Sequence, residues 1–420
     1  MGNCFQTLNT ATILKKISPM TIIIYSGRED RRLEAPMTKI CIVGPSKKFL
    51  SGISYYTIRL SNSLSADYDV SVLCFRNLLP KFMFPGSKHV GKDLASLDYA
   101  PGLKVYNGMD YNNPLTWYHA YRFMKREKPD VIILQWWTSS VAHMHMIIAL
   151  INAITTRAKI IIEFHEVVDP LEESIVPIRV YSRIMGRFLV GRAALYVTHS
   201  ESDKRLVVSK YRIPEEQVQV IPHGLYDQYK QVSREEARQK LRMDGDYVIL
   251  SFGLIRPYKG IPNLVKAFGE LPESIALKSR LLIAGEIWED RAAVVQSIES
   301  SKYKDRITLI DNYIPDDDIP LYFNATDVVA LPYLRASQSG VAHIAMTFGK
   351  PIVVSRVGGL EESMADYSGT FFVPPGDSSA IREAIVKLYG ERPGPFEPPK
   401  RGWDLTNEKY RAVISSLIGP

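Results

Sequence analysis

The chain has 420 residues, with 46% hydrophobic, 23% charged and 10% aromatic side chains, which excludes a small stapled scaffold and a disordered chain and predicts two or more globular domains. Lysine and arginine number 52 against 45 acids, a net charge of +7. The excess is uneven: residues 1–225 carry 28 basic and 19 acidic side chains, so that half either faces an anionic partner (nucleic acid, anionic lipid or a phosphorylated substrate) or displays solvated cations.

Residues 1–36 read as a poorly ordered extension with no signal peptide. Cys4, Cys41 and Cys74 make neither a metal-ligand spacing nor a disulfide framework, which predicts a cytoplasmic protein. From Met37 onward, short β-branched runs alternate with segments of helical periodicity, the pattern of an α/β protein with parallel sheets. The first series of strands is Lys39 to Gly44, Val70 to Phe75, Lys104 to Tyr106, Val131 to Gln135, Lys159 to Phe164, Ala194 to Thr198 and Val218 to Pro222. The apolar stretch from Val141 to Ile154 is too short to cross a bilayer. A polar segment, Tyr226 to Gly245, follows as a hinge, with Ser233 before Glu235 and Glu236 as a capped helix start. A second series runs through Tyr247 to Phe252, Arg280 to Ala284, Ile307 to Ile310, Val328 to Leu331, Pro351 to Ser355 and Thr370 to Phe372. A proline-rich stretch, Arg392 to Pro399, precedes a final amphipathic helix from Trp403 to Ile418. Two doubly wound, Rossmann-like domains are therefore expected, 37–225 and 226–400, with 401–420 as a terminal helix and the site beyond the strands' carboxyl ends between them.

Three strand-to-helix turns carry chemistry. Ser46 to Ile53 places Gly52 at a helix start, where free amides favour an anion. Ser251 to Gly260 sets Arg256 and Lys259 within one turn around a stiff Pro257-Tyr258, two cations suited to a diphosphate. Tyr333 to Val341 puts Ser339 and Gly340 at another helix N-terminus, and Gly358-Gly359 with Glu361 follows the next strand. Asp316-Asp317-Asp318 follow Pro315 and read as helix-start charge rather than metal ligands.

Together with Ile162-Glu163-Phe164-His165-Glu166, Thr198-His199-Ser200, Val220-Ile221-Pro222-His223-Gly224, Asp327 to Pro332 and Gly349-Lys350-Pro351, these turns resemble the retaining nucleotide-sugar glycosyltransferases of GT-B fold, family 4, from about Lys39 to Ile418. The resemblance implies transfer of a hexose from a UDP- or GDP-sugar to a hydroxyl of a glycan or lipid-linked acceptor, without metal or cofactor. It implies that Arg256 and Lys259 hold the donor diphosphate, that Gly52 and Gly253 approach it, and that His165 lies near the transferred sugar. Ser339, Gly340 and Val341 would offer backbone amides; Asn312, Tyr313 and Ile314 would line the base pocket. Glu361 would fall on the ribose side, or serve only as a capping charge. Many family members carry two glutamates separated by seven residues in the third turn; here the corresponding positions are Ala336 and Ile344, and Gln338 would supply a neutral contact instead. Trp403 resembles the start of the family's terminal helix, which crosses back to the first domain.

On the acceptor side, Arg179, Arg183 and Arg187 recur on one helical face with Arg192 beyond, fitting either an anionic membrane surface or a solvated arginine face. Trp136 and Trp137 end a strand at the cleft edge and either stack on an acceptor sugar or pack in the core. The alternative to a transferase is a non-catalytic nucleotide-sugar-binding protein of the same fold. Nucleic-acid binding is not expected, because the basic residues lack an interleaved aromatic motif.

Overall fold

In the computed structural model the described residues are 37–47, 52–78, 97–137, 142–167, 176–243 and 245–419. The extension 1–36 with Cys4, the loop residues 48–51 and Val141 fall outside them. Strands β1 (Lys39–Pro45), β2 (Asp69–Asn77), β3 (Lys104–Asp110), β4 (Val131–Trp136), β5 (Lys159–Phe164), β6 (Leu195–Thr198) and β7 (Val218–Val220) form one sheet in the order β3-β2-β1-β4-β5-β6-β7. Strands β8 (Tyr247–Phe252), β9 (Ser279–Ala284), β10 (Ile307–Ile310), β11 (Val328–Leu331), β12 (Ile352–Ser355) and β13 (Thr370–Val373) form the second, ordered β10-β9-β8-β11-β12-β13. The strand pairings in both sheets are parallel.

Several strand ends, those of β2 among them, differ from the sequence reading by one or two residues and that of β3 by four; two have a clear cause. β7 stops at Val220, short of Pro222, which has no N–H to extend a ladder. Edge strand β3 runs to Asp110 through Asn107 and Gly108, accommodating these turn-prone residues by register shifts against β2.

Among the described residues, the helices of seven residues or more are α1 (Gly52–Leu64), α2 (Pro114–Glu127), α3 (Ala142–Ile154), α4 (Val176–Val190), α5 (Glu201–Tyr211), α6 (Arg234–Leu241), α7 (Ile261–Gly269), α8 (Arg291–Glu299), α9 (Ile319–Ala325), α10 (Gly340–Thr347), α11 (Gly358–Met364), α12 (Ser378–Glu391) and α13 (Trp403–Ile418). Their caps follow from sequence: Ser233 accepts from the Glu236 amide at 3.1 Å to start α6, and Ser200 accepts from Asp203 at 3.0 Å to start α5. Each sheet is covered on both faces, which is why β4 and β8 are buried at every position. In the first sheet, α2, α3 and Leu189 of α4 pack on one face, while α1 and α13 pack on the other. Helix α13 thus follows the second sheet in sequence and docks on the first: Asn407 and Arg411 both donate to Asp67, at 2.9 and 2.8 Å, and Tyr410 and Ile414 are fully buried. Each such large side chain contributes roughly 1.5–3 kcal/mol by burial.

Both sheets reverse strand order beside their first strand, at β1/β4 and β8/β11. The loops leaving β1, β8 and β11 therefore meet where an open parallel sheet binds its ligand.

Candidate functional site

Between the two sheets lies a cavity of about 360 Å³ whose walls include Gly52 and Tyr55 from α1, Arg256 and Lys259 from the loop after β8, and Gln338 to Val341 at the start of α10. Tyr226, Trp288, Tyr313 and Ile314 add aromatic and apolar surface. The loop after β8 turns sharply. Gly253 has φ +96° and Gly260 φ +67°, and a Cβ at Gly260 would strike the Pro332 carbonyl.

Arg256 is held by Glu289, its Nε donating to Oε1 at 2.6 Å, and its guanidinium lies 5.8 Å from the Trp288 ring centroid. Lys259 is half-buried, and desolvation of its ammonium pulls it below the usual lysine value. Its Nζ donates to the Tyr333 hydroxyl at 2.6 Å and sits 4.0 Å from that ring's centroid. The Tyr333 hydroxyl in turn lies 3.2 Å from Ser339 Oγ, which caps α10 by accepting from the Ala342 amide. One chain of contacts therefore fixes Lys259 against the helix start. Beside it, both the oxygen and the nitrogen of the Gln338 side-chain amide are buried without a hydrogen-bond partner, although Gln338 lines the cavity. An unpaired amide is costly unless something fills its bonds.

Other expected site residues are distributed differently. Asn312 is exposed and outside the cavity lining, whereas its neighbours Tyr313 and Ile314 are within it. Glu361 also lies outside the lining and pairs with Arg356, while Glu362 reaches across to the first-sheet half, accepting from the amides of Glu201 and Ser202 at 2.6 and 2.9 Å. Trp136 is 3% exposed and stacks on His145 in the core; as the last residue of β4 it points beneath α3, so its indole is not open to an acceptor. Trp137 is partly exposed and packs against Phe75 and His145. Asp316, read as helix-start charge, is buried on the cavity wall and bonded by the Tyr55 hydroxyl.

His165 does not line the cavity. Its ring turns into a buried cluster with Glu163, His199 and Tyr56. His223 and His343 stack on each other at 4.8 Å between centroids and join the cluster to the second half. Burial lowers the basicity of His165, His223 and His343, with His223 down to about 3, so all three are neutral at pH 7. Sequence reasoning quoted the segments that carry Glu163, His165, His199 and His223 but not their meeting, and it missed Tyr55, Tyr226 and Tyr333 as site residues. One signal was present: Glu163 is a lone acid ending the apolar run Ile160-Ile161-Ile162.

Residues 50–228 match the family described as Glycosyltransferase Family 4, and residues 233–400 match Glycosyl transferases group 1. The D-inositol 3-phosphate glycosyltransferase of Pseudarthrobacter chlorophenolicus is 24% identical over 322 residues, 70% of this chain and 74% of that protein. The 2-deoxystreptamine glucosyltransferase of Streptomyces kanamyceticus is 24% identical over 210 residues, 49% of this chain and 54% of its own length. Among solved structures, Anabaena HepE in complex with UDP-glucose superposes with a TM-score of 0.67 at 17% identity, covering 90% of this chain and 99% of that one. Sucrose-phosphate synthase from Thermosynechococcus elongatus gives 0.66 at 15% identity, with 90% and 99% covered.

Proposed function

Since this chain belongs to the family 4, group 1 glycosyltransferases and has their GT-B fold, we propose that it moves a hexose from a nucleoside diphosphate sugar to a hydroxyl of a glycan or lipid-linked acceptor, with retention and without a metal. The solved HepE complex with UDP-glucose supports a uridine donor, with a GDP-sugar as the alternative. The observation that carries the reading is the convergence of Arg256, Lys259 and the capped start of α10 on one cavity.

As the glycosidic bond breaks, negative charge grows on the leaving diphosphate. Lys259 is already desolvated and tethered by Tyr333, so its attraction is little screened. Arg256 exchanges Glu289 for phosphate oxygens, and the amides at Ser339 to Val341 add helix-end donors. Gly52 and Gly253 give the donor room to approach the backbone, and the Gln338 amide satisfies its two unpaired atoms on a donor hydroxyl. Tyr313 and Ile314 pack on the base. In this reading the donor phosphate, on the acceptor's face, takes the acceptor proton, and His165, which lies outside the cavity lining, acts on the sugar only through its neighbours.

The acceptor side is read as membrane-facing. On α4, Val176, Val180 and Ile184 are 63%, 52% and 58% exposed, beside the exposed Arg179, Arg183 and Arg187, and α4 has no acidic residue. Apolar side chains next to arginines suit the headgroup region of an anionic bilayer. Among the described residues no helix is long and apolar enough to cross a membrane.

The test is nucleotide release from a panel of UDP- and GDP-sugars, with and without membrane-lipid extract, comparing wild type with Lys259→Ala. Acceptor-dependent turnover that is lost in the variant supports the transferase. Tight donor binding with no turnover under any acceptor supports the binding protein, with Ala336 and Ile344 as its explanation.

A further inference from the structure

Glu163, one residue before the end of β5, is wholly buried and gathers three distant parts of the chain. Its Oε1 accepts from the hydroxyls of Tyr56 on α1 and Tyr410 on α13, each at 2.6 Å. Its Oε2 faces the Gln135 amide nitrogen at 3.4 Å and His165 Nε2 at 3.7 Å. His165 Nδ1 lies 3.2 Å from His199 Nε2, and His199 Nδ1 lies 2.9 Å from the Ile221 carbonyl.

A carbonyl only accepts, so His199 Nδ1 carries a proton. With Glu163 ionised and both rings neutral, one proton is left for His165. Placed on Nδ1 it bridges the rings but turns a bare Nε2 lone pair toward the carboxylate. Placed on Nε2 it faces the carboxylate but leaves two lone pairs opposed at 3.2 Å. Either arrangement is repulsive in a buried, weakly screened site. One additional proton removes the conflict, residing on the Glu163 side or on the His199 side, and the burial that pushes the Glu163 carboxyl up acts in the same direction.

We infer that Glu163 and His199 are positioning residues which share this additional proton with His165, and that Tyr410 of the C-terminal helix completes the cluster, holding His165 in one orientation next to Glu166, whose charge acts on Lys259. The three ligand-type groups lie close enough to invite a cation, but both tyrosines on Glu163, the contact between the two rings and the Ile221 carbonyl already engage them, and the shared proton serves His165 Nε2, which has no hydrogen-bond partner. The kinetic consequence rests on the transferase reading; the proton count does not.

Two measurements on the full chain test it, using Glu163→Gln, His199→Asn and Tyr410→Phe. The first is chemical unfolding without substrate from about pH 5 to 9. The cluster is faced by Tyr56, Gln135, Tyr410 and His223, with Asp203 acting by charge on the His199 side and Arg401 on the His223 side. The native state retains a proton that an unfolded glutamate gives up above 4.5, so Glu163's contribution to stability falls as pH rises through its raised value. Glu163→Gln is expected to lose that component of the slope. The second is turnover: kcat is expected to fall about tenfold in Glu163→Gln and His199→Asn with donor KM within about twofold, and to fall less in Tyr410→Phe.

A Glu163→Gln protein with wild-type slope and wild-type kcat overturns the proposal. So does zinc or cobalt bound one per chain and lost in His199→Asn, because a metal then replaces the shared proton. If Glu163→Gln does not fold, Tyr410→Phe, which removes one hydroxyl, gives both readings. If the wild type turns over no donor, the transferase reading fails while the unfolding slope still decides the cluster.

Discussion

The two walls of the cleft handle polar groups in opposite ways. On the first-sheet wall, Glu163, His165, His199 and His223 are buried and largely satisfy one another or nearby carbonyls. On the second-sheet wall, Lys259 is tied only on one side by Tyr333, Arg256 is paired with an exposed glutamate, and the Gln338 amide has no partner. A wall whose hydrogen bonds are mostly filled by its own residues, His165 Nε2 being the exception, is built for rigidity; a wall with bonds left open toward a cavity is built for a ligand. The terminal helix reinforces this division, since α13 crosses to the first wall and donates Tyr410 into its polar core.

The largest effect that would sharpen this contrast is acid sensitivity of the first wall and of His343, which stacks on it from α10. His165, His223 and His343 are held neutral by burial, from an ordinary value of 6.5. The unfolded chain takes protons on them below that value and the native state does not, so stability present above about pH 6.5 is lost as pH falls. Each contributes up to about 1.4 kcal/mol per pH unit in that range, partly offset by Glu163, whose shift has the opposite sign. Denaturation midpoints from pH 7.5 to 5 should fall steeply and the fall should be shallower in His343→Phe. A flat profile would show that these rings are not sequestered.

On the second wall the effects should fall on the ligand instead. Lys259→Ala is expected to lower kcat/KM about 100- to 1,000-fold, and Lys259→Arg to restore little, because the slot against Tyr333 fits a compact ammonium. Gln338→Ala should raise donor KM about tenfold, the worth of a buried hydrogen bond to a hydroxyl, with unchanged unfolding. Steady-state kinetics and thermal melts on the same proteins check both. If Gln338→Ala instead stabilises the protein and leaves KM alone, its amide is a structural defect rather than a donor contact.

Much of the second wall was legible in the sequence because its chemistry is local. Arg256 and Lys259 sit within one turn, and Ser339-Gly340 announces a helix start by residue type alone. The strands were legible for a related reason: buried parallel strands are built around apolar runs, and β5, β8, β10 and β11 begin and end where the sequence reading put them. The first wall was not legible in this way. Glu163 meets Tyr56 across 107 residues and Tyr410 across 247, and no local pattern encodes that meeting. Trp136 stayed open for the opposite reason, since its position at a strand end allowed either the cleft or the core, and the side-chain alternation of β4 sends it under α3.

The smallest expected effect tests the seam between the walls. Glu362, on the second-sheet half, caps the N-terminus of α5 on the first, accepting from the amides of Glu201 and Ser202 and lying 3.3 Å from Arg205. A carboxylate at a helix N-terminus satisfies orphan amides and meets the positive end of the helix dipole, worth about 1 kcal/mol when partly exposed as here. Glu362→Gln keeps the shape and removes the charge. The Glu201 and Ser202 amides should then exchange with deuterium about fivefold faster, while amides within β4 and β8, buried in the centres of the two sheets, keep their protection. Faster exchange throughout β5 and β6 as well would mean that the seam supports the whole first wall, and the contrast between a self-sufficient wall and a ligand-dependent one would no longer hold.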